Sequence, residues 1–311
     1  MLKLFYKLYF NRFRHPAIEN YYTRIIVRLT NYVMSFYFTV THPVTIRRKL
    51  RAPDDADDKL IVSLTSYPDR IDKVWLVVES ILAQTHKPDE IILWLYRDEF
   101  DGLNSLPANL KRLQKRGLQI KFCDENLMPH KKYYYTLLNN PGADIITVDD
   151  DVIYHPHLIE KLMECHQKYP AAVCGTLVRK IELCGERDNI EPYRDWSQLK
   201  ENTEPRFDNQ MIGVGGVLYP AGSLHPEVLD MEALKELALY TDDLWLKIMC
   251  VRNRTAVAAL SGEFPRSFIP IILDKRSRLA DENVGNNRNS KNFKRLVEHY
   301  HVSSKEFVAD V

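Results

Sequence analysis

Short apolar runs and helical apolar stripes alternate along residues 59–300. Leu60-Ile61-Val62-Ser63-Leu64-Thr65 reads as a first strand, and Ser66-Tyr67-Pro68-Asp69-Arg70 turns the chain. Val74, Val77, Val78, Ile81 and Leu82 then recur at helical spacing. Pro88 precedes a second strand, Glu90 to Tyr96; Leu106 to Arg116 predicts a helix ended by Gly117; Leu118 to Phe122 predicts a short third strand. Lys131 to Leu138 predicts a short helix leading to Asp144-Ile145-Ile146-Thr147-Val148, which runs straight into Asp149-Asp150-Asp151. Beyond the acids, Pro156 opens a helix carrying Leu158, Ile159, Leu162 and Met163, and Ala171 to Val178 predicts a strand. Arg179 to Gln210 is polar with little periodicity and predicts a long loop near a site. Met211 to Tyr219 predicts a strand whose glycines (Gly213, Gly215, Gly216) let the backbone come close to a bound ligand. Glu232–Leu239 and Asp242–Arg252 read as helices, the second with Thr241 or Asp242 as N-cap. A strand at Thr255 to Leu260, a mobile polar stretch at 274–292 and a final helix near Phe293–Tyr300 complete the pattern. Strands alternating with helices in this way predict an α/β domain with a mostly parallel central sheet flanked by helices.

The acidic stretch carries the chemistry. The carboxyl end of a buried parallel strand is where open α/β sheets place ligands. If the strand continues into the acids, alternation sets Asp149 and Asp151 on one face and Asp150 on the other. Two carboxylates on one face repel unless they are solvated, one is protonated, or a hard divalent cation lies between them. The plain alternative is an acidic loop after a strand. His130, Lys131 and Lys132 open the helix before the acids, so a lysine or a helix-start amide there is a phosphate candidate, against a solvated helix face. Arg70 is a second phosphate candidate. His155 and His157 flank Pro156, where capping outweighs metal ligation, and His299 is a weak metal candidate.

Charge divides the chain. Residues 1–51 hold ten Lys/Arg and one acid, Glu19, while the rest is mildly acidic. The basic arm is rich in aromatics, and Leu2, Phe5, Tyr6, Tyr9, Phe10 and Phe13 follow helical spacing. Leu29 to Ile46 has no formal charge, but its Asn, Thr, His and Pro make it a poor spanning helix. Two readings of the arm stay open: an amphipathic segment on an anionic membrane, or a helical extension packed on the body or on a second subunit. No nucleic-acid recognition motif accompanies the basic residues. Pro53-Asp54-Asp55-Ala56-Asp57-Asp58 reads as a linker, dividing a 1–58 extension from a 59–311 domain. Five scattered cysteines without Cys-x-x-Cys favour buried thiols in a reducing compartment. No signal-peptide pattern is visible. A cytoplasmic chain, peripheral on the inner membrane face if the arm binds lipid, is the resulting expectation.

Three stretches together resemble the nucleotide-sugar-dependent glycosyltransferases of the GT-A fold, and more narrowly the bacterial family 2-like enzymes of surface polysaccharide synthesis. The first is Ile61 to Arg70 followed by the helix ending Glu79-Ser80-Ile81-Leu82-Ala83-Gln84-Thr85. The second is Asp149-Asp150-Asp151, similar to that family's D-x-D. The third is Tyr240-Thr241-Asp242-Asp243-Leu244-Trp245-Leu246. The resemblance implies that Thr65, Ser66 and Tyr67 line base and ribose and that Asp149 contacts ribose or sugar, with Asp150 beside it among the nucleotide-sugar-binding residues. It implies that Asp151 holds Mn²⁺ or Mg²⁺ bridging the diphosphate, and that Asp243, with Asp242 beside it, is the general base. One departure matters: members often end the second strand with an acid that reads the base, whereas here Leu95-Tyr96-Arg97-Asp98 stands there. The implied function is metal-dependent, inverting transfer from a nucleotide-sugar, taken as a UDP-sugar, to a saccharide or lipid-linked acceptor. Two rivals remain. An aspartyl-phosphate phosphatase would use Asp149 as nucleophile and Asp151 as acid, but its motif belongs on the first core strand. A non-catalytic membrane-peripheral sugar-nucleotide-binding protein is the other.

Overall fold

A computed structural model describes residues 21–45, 50, 59–184, 189–262, 268–271 and 287–308. The spacing over Leu2–Phe13, the linker Pro53–Asp58 and the polar stretch through residue 286 lie outside the described residues. The elements in chain order are α1 (Tyr21–Thr45), β1 (Leu60–Thr65), α2 (Val74–Leu82), β2 (Glu90–Tyr96), α3 (Ala108–Leu113), β3 (Leu118–Cys123), α4 (Lys131–Asn139) and β4 (Asp144–Thr147). They continue as β5 (Val152–Tyr154), α5 (Leu158–Lys168), β6 (Val173–Gly175), β7 (Val178–Lys180), β8 (Leu183–Cys184), β9 (Asn189–Ile190), β10 (Asn202–Arg206) and β11 (Asn209–Met211). Last come β12 (Val217–Tyr219), α6 (Met231–Leu237), α7 (Asp242–Arg252), β13 (Val257–Leu260), β14 (Phe268–Pro270) and α8 (Arg288–His299).

Eight strands form one sheet in the order β10-β13-β6-β12-β4-β1-β2-β3. β4, β1, β2 and β3 run parallel, joined by helices that cross over the faces. β12 enters antiparallel between β4 and β6, and β10 is an antiparallel edge. In β1 alternate side chains serve opposite faces: Leu60, Val62 and Leu64 join α2 and α5 in one core cluster, while Ile61 meets Ile92 and Trp94 on the other side. A further cluster gathers α7, α8 and the β6, β12 and β13 strands. Strands buried on both faces need apolar residues at nearly every position, which is why these runs are legible in the sequence.

Three expectations need correction. Ala171 to Val178 is two strands, β6 and β7, which pair with different partners. Met211 to Tyr219 is likewise broken: β11 ends, Gly213–Gly215 make a single helical turn, and β12 begins after Gly216 at φ +88°. A side chain at Gly216 would strain that conformation and strike Leu158. Arg179 to Gln210 is not a structureless loop, because β7 through β11 lie within or beside it. β10, Asn-Thr-Glu-Pro-Arg, buries no side chain completely and carries proline on a sheet edge, so neither periodicity nor propensity announces it.

α1 packs its inward face on the body. Met34 and Phe38 are buried in the core cluster shared with α2, and Asn31 Nδ2 donates to the Pro270 carbonyl at 2.9 Å. On α2 the Glu79 carboxylate meets Arg116 at 2.6 Å, with both side chains almost wholly buried. Removing one partner of such a pair strands the other charge. Arg116→Met should lower unfolding stability by about 3 kcal/mol or more. Adding Glu79→Leu to that variant should restore most of the loss, as read by urea denaturation.

Candidate functional site

The acidic residues gather at the carboxyl ends of β1 and β4. β4 stops at Thr147, although Val148 still donates to the Ser63 carbonyl at 3.1 Å. The acids therefore sit in a turn between β4 and β5, and simple strand alternation does not govern them. Asp150 is buried, accepting from Ser66 Oγ at 2.6 Å and Arg70 Nη1 at 2.7 Å. Arg70 also reaches Asp151 at 3.1 Å, so Asp150 and Asp151 share one guanidinium, and Asp149 takes another cation. The strand does not continue into the acids, so the alternation that would set Asp149 and Asp151 on one face does not apply.

That other cation is Lys132. Its Nζ donates to Asp149 Oδ1 at 2.8 Å and stands 2.7 Å from Asp242 Oδ2, with only 5% of its side chain exposed. The solvated-face alternative for Lys132 is overturned. Lys131 is buried too and turns away, donating to Asn126 Oδ1 at 2.5 Å. Burial alone would weaken the Lys132 ammonium, but Asp149 and Asp242 hold its proton well above the usual lysine range. The Arg70 guanidinium is likewise held charged: burial opposes it, and Asp150 and Asp151 prevail.

α7 supplies Asp242 and Asp243 from its first turn. Burial would raise Asp242, but the Lys132 ammonium keeps it below the ordinary carboxylate range. Asp243 goes the other way, pushed up to about 8 by burial and then by Asp242. Desolvation and the like charge of Asp242 outweigh the helix-start dipole, which by itself would favour the ionised form of Asp243. The Gly213 amide donates to Asp243 Oδ2 at 3.0 Å, and Gln210 Nε2 donates to the Asp243 carbonyl at 3.1 Å. A Cβ at Gly213 would lie 2.7 Å from Asp243 Oδ1 and 2.9 Å from Lys132 Nζ, so a side chain there would push one or both of these groups aside.

Tyr154 locks the turn from beneath. Its hydroxyl accepts from the Asp149 amide at 2.7 Å and donates to the Val214 carbonyl at 3.2 Å, joining the acidic turn to the glycine turn. The sequence marks Tyr154 only as an aromatic after an apolar pair, so its role is visible only in the fold. Gln210 was hidden for a similar reason, standing at the end of a stretch without periodicity.

The remaining candidates scatter. Thr65 Oγ1 donates to the Trp94 carbonyl at 2.9 Å, and Tyr67 lies under the Arg70 guanidinium at 5.3 Å. The Cβ positions of Gly215 and Gly216 are filled by Thr176-Leu177 and Leu158, so their closeness serves the protein's own packing. His155 Nδ1 accepts from the His157 amide, His157 pairs with Glu160, and His299 rests against Tyr300. Among the described residues, no group of three or more His, Cys, Asp or Glu is arranged to hold a metal ion. Asp149 and Asp151 nevertheless offer the hard oxygen donors that Mg²⁺ or Mn²⁺ takes, and they are partly open, 30% and 23% exposed. The donor chemistry fits such a cation at Asp151, with Arg70 retaining Asp150.

Lys132→Met would leave Asp149 and Asp242 without their ammonium. The expected loss of unfolding stability is about 3–5 kcal/mol, measured by urea denaturation. A loss below about 1 kcal/mol would mean that the pair behaves as a solvated surface bridge.

Residues 69–216 match the family model described as Glycosyl transferase family 2. The span runs from the β1–α2 loop through Lys132 and the acidic turn to the glycine turn. No curated protein matches the chain. Among solved structures, S. aureus TarS 1–349 in complex with UDP is similar at 14% identity and TM-score 0.45, covering 68% of this chain and 59% of that one. Another crystal structure of TarS 1–349 aligns at 13% identity and TM-score 0.44, covering 78% and 72%. A UTP-bound UGPase from Acinetobacter baumannii aligns at 9% identity and TM-score 0.41, covering 78% and 93%. This chain thus spans 59% of the UDP-bound TarS chain, and likenesses this distant carry no function across. The family match takes in just under half of the chain, including Arg70, Lys132 and the acidic turn but not the Asp242–Asp243 helix, and it supports glycosyltransferase activity on an α/β fold of the GT-A kind.

Proposed function

We propose that the protein is a metal-dependent, inverting glycosyltransferase. It moves a sugar from a nucleotide-sugar, a UDP-sugar by this reading, to a saccharide or lipid-linked acceptor in surface polysaccharide synthesis. One observation carries the reading: Lys132 ties the acidic turn to the Asp242–Asp243 pair, so the carboxylates assigned to donor and acceptor meet at one ammonium. In the single displacement, an acceptor hydroxyl oxygen attacks the anomeric carbon as the bond to the diphosphate breaks. The nucleoside diphosphate leaves, and the hydroxyl proton passes to Asp243. Desolvation makes Asp243 a stronger base than a solvated carboxylate, and the Gly213 amide fixes its Oδ2. Asp151, with Asp149, would hold Mn²⁺ or Mg²⁺, whose Lewis acidity offsets charge growing on the leaving diphosphate. Thr65, Ser66 and Tyr67 lie on the loop assigned to base and ribose. In the described structure Ser66 and Arg70 brace Asp150, which gives that carboxylate a structural part beneath the ligand-facing acids.

Calorimetric titration with UDP, GDP and their sugar conjugates, with and without Mn²⁺, tests the reading. Metal-dependent binding of one nucleotide, lost in Asp151→Ala, is expected. Turnover of a phosphomonoester without nucleotide binding would instead favour a phosphatase using Asp149. No binding and no turnover would favour a non-catalytic binding protein.

The pH profile tests Asp243 separately. A general base must be ionised, so kcat/KM should rise as pH climbs through about 8 and then level off. Asp243→Asn should lower kcat by about 10²–10⁴-fold. A flat wild-type profile from about pH 6 to 9 would remove Asp243 from that role.

A further inference from the structure

We propose that the outward face of α1 is a docking surface for an anionic lipid membrane. The helix is apolar on two opposite sides. Thr30, Met34 and Phe38 face the body and are buried. Ile25, Leu29, Tyr32, Phe36 and Val40 are exposed by 45%, 60%, 77%, 71% and 55%. Their spacings of four, three, four and four residues keep all five on one side of a helix turning about 100° per residue. Such a continuous stripe of large apolar side chains on a surface marks a contact site.

Charge selects the occupant. α1 contains no acidic residue, and its charged side chains are Arg24 and Arg28. Residues 1–51 as a whole carry ten Lys/Arg against Glu19 alone. A second copy seated on the stripe would bring two strongly basic arms together, with no acid on the helix to pair them. An anionic bilayer supplies the missing negative charge, and its interface accepts Tyr32 and Phe36 beside the arginines. Among the described residues no helix is long and apolar enough to cross a membrane, so α1 lies along the surface. It is also anchored to the site: Asn31 holds Pro270 in β14, β14 pairs with β5, and the Ile271 amide donates to the Asp151 carbonyl at 2.8 Å. Lipid docking therefore fixes the acidic turn relative to the bilayer, whatever reaction the cleft performs.

Co-sedimentation of the full chain with vesicles is the test. Phosphatidylglycerol vesicles should retain the protein and phosphatidylcholine vesicles should not. Tyr32→Ser combined with Phe36→Ser should lower the bound fraction about tenfold. Raising salt to about 0.5 M should also weaken binding. Leu103→Ser, a change at a different exposed apolar side chain, should leave binding unchanged. Circular dichroism run in parallel shows that each variant is folded. Undiminished binding by the double variant would overturn the proposal. So would light scattering that shows a dimer which the double variant converts to monomer, because the stripe would then belong to a second copy.

Discussion

Lys132 places one ammonium between carboxylates from two elements, Asp149 after β4 and Asp242 at the start of α7. Nothing else described in the cleft joins these segments so directly. A buried lysine is tolerated only where opposite charges repay its desolvation, and two carboxylates do so here. Other choices follow. Glycine at 213 leaves room for both this ammonium and Asp243, which a Cβ would displace. Asp242 stays ionised because it faces the ammonium, and Asp243, one residue on, keeps its proton to higher pH. Two adjacent carboxylates thus acquire different protonation behaviour from one cation, the arrangement by which a site separates a fixed charge from a proton acceptor.

The parallel half of the sheet was legible because its strands are buried on both faces. β1 and β2 read as unbroken apolar runs, and their observed bounds agree with the pattern. α7 was legible for a related reason, with acids at its start and apolar residues on nearly every side. Short strands of the edge and the glycine turn were not. β7, β10 and β11 owe their pairing to neighbours distant in sequence, and their side chains carry no alternating apolar signal.

The site shows the same division. Asp149, Asp150 and Asp151 stand out because three carboxylates after an apolar strand are unusual, but which cation each one takes is tertiary information. Asp150 looked like a neighbour of the ligand and is held by Ser66 and Arg70 beneath it. Lys132 stood as a phosphate candidate against a solvated helix face, and only the fold shows that it is buried between two carboxylates. Tyr154 carried no local mark at all, since a tyrosine whose hydroxyl braces two turns resembles any other core aromatic. For the arm the sequence left open a membrane-facing and a body-packed reading, and α1 has apolar residues on both sides, Met34 and Phe38 buried and Tyr32 and Phe36 exposed. A helix with apolar residues on two sides shows which one packs inward only once the body covers it.

The counter-ions of the acidic turn have a consequence for any anion entering the cleft. Arg70 and Lys132 are the cations best placed to greet a diphosphate, yet each is already neutralised by carboxylates of the protein. With Asp149, Asp150, Asp151, Asp242 and Asp243 gathered around them, this part of the cleft has an excess of negative charge. A bare nucleoside diphosphate would meet repulsion there, whereas one arriving with a divalent cation brings compensation with it. Because Tyr154 and the β4 and β5 strands hold the turn's backbone, accommodation falls to the long side chains of Arg70 and Lys132. Entry would then be an exchange of ion partners on a stationary frame, governed by ionic competition more than by loop movement.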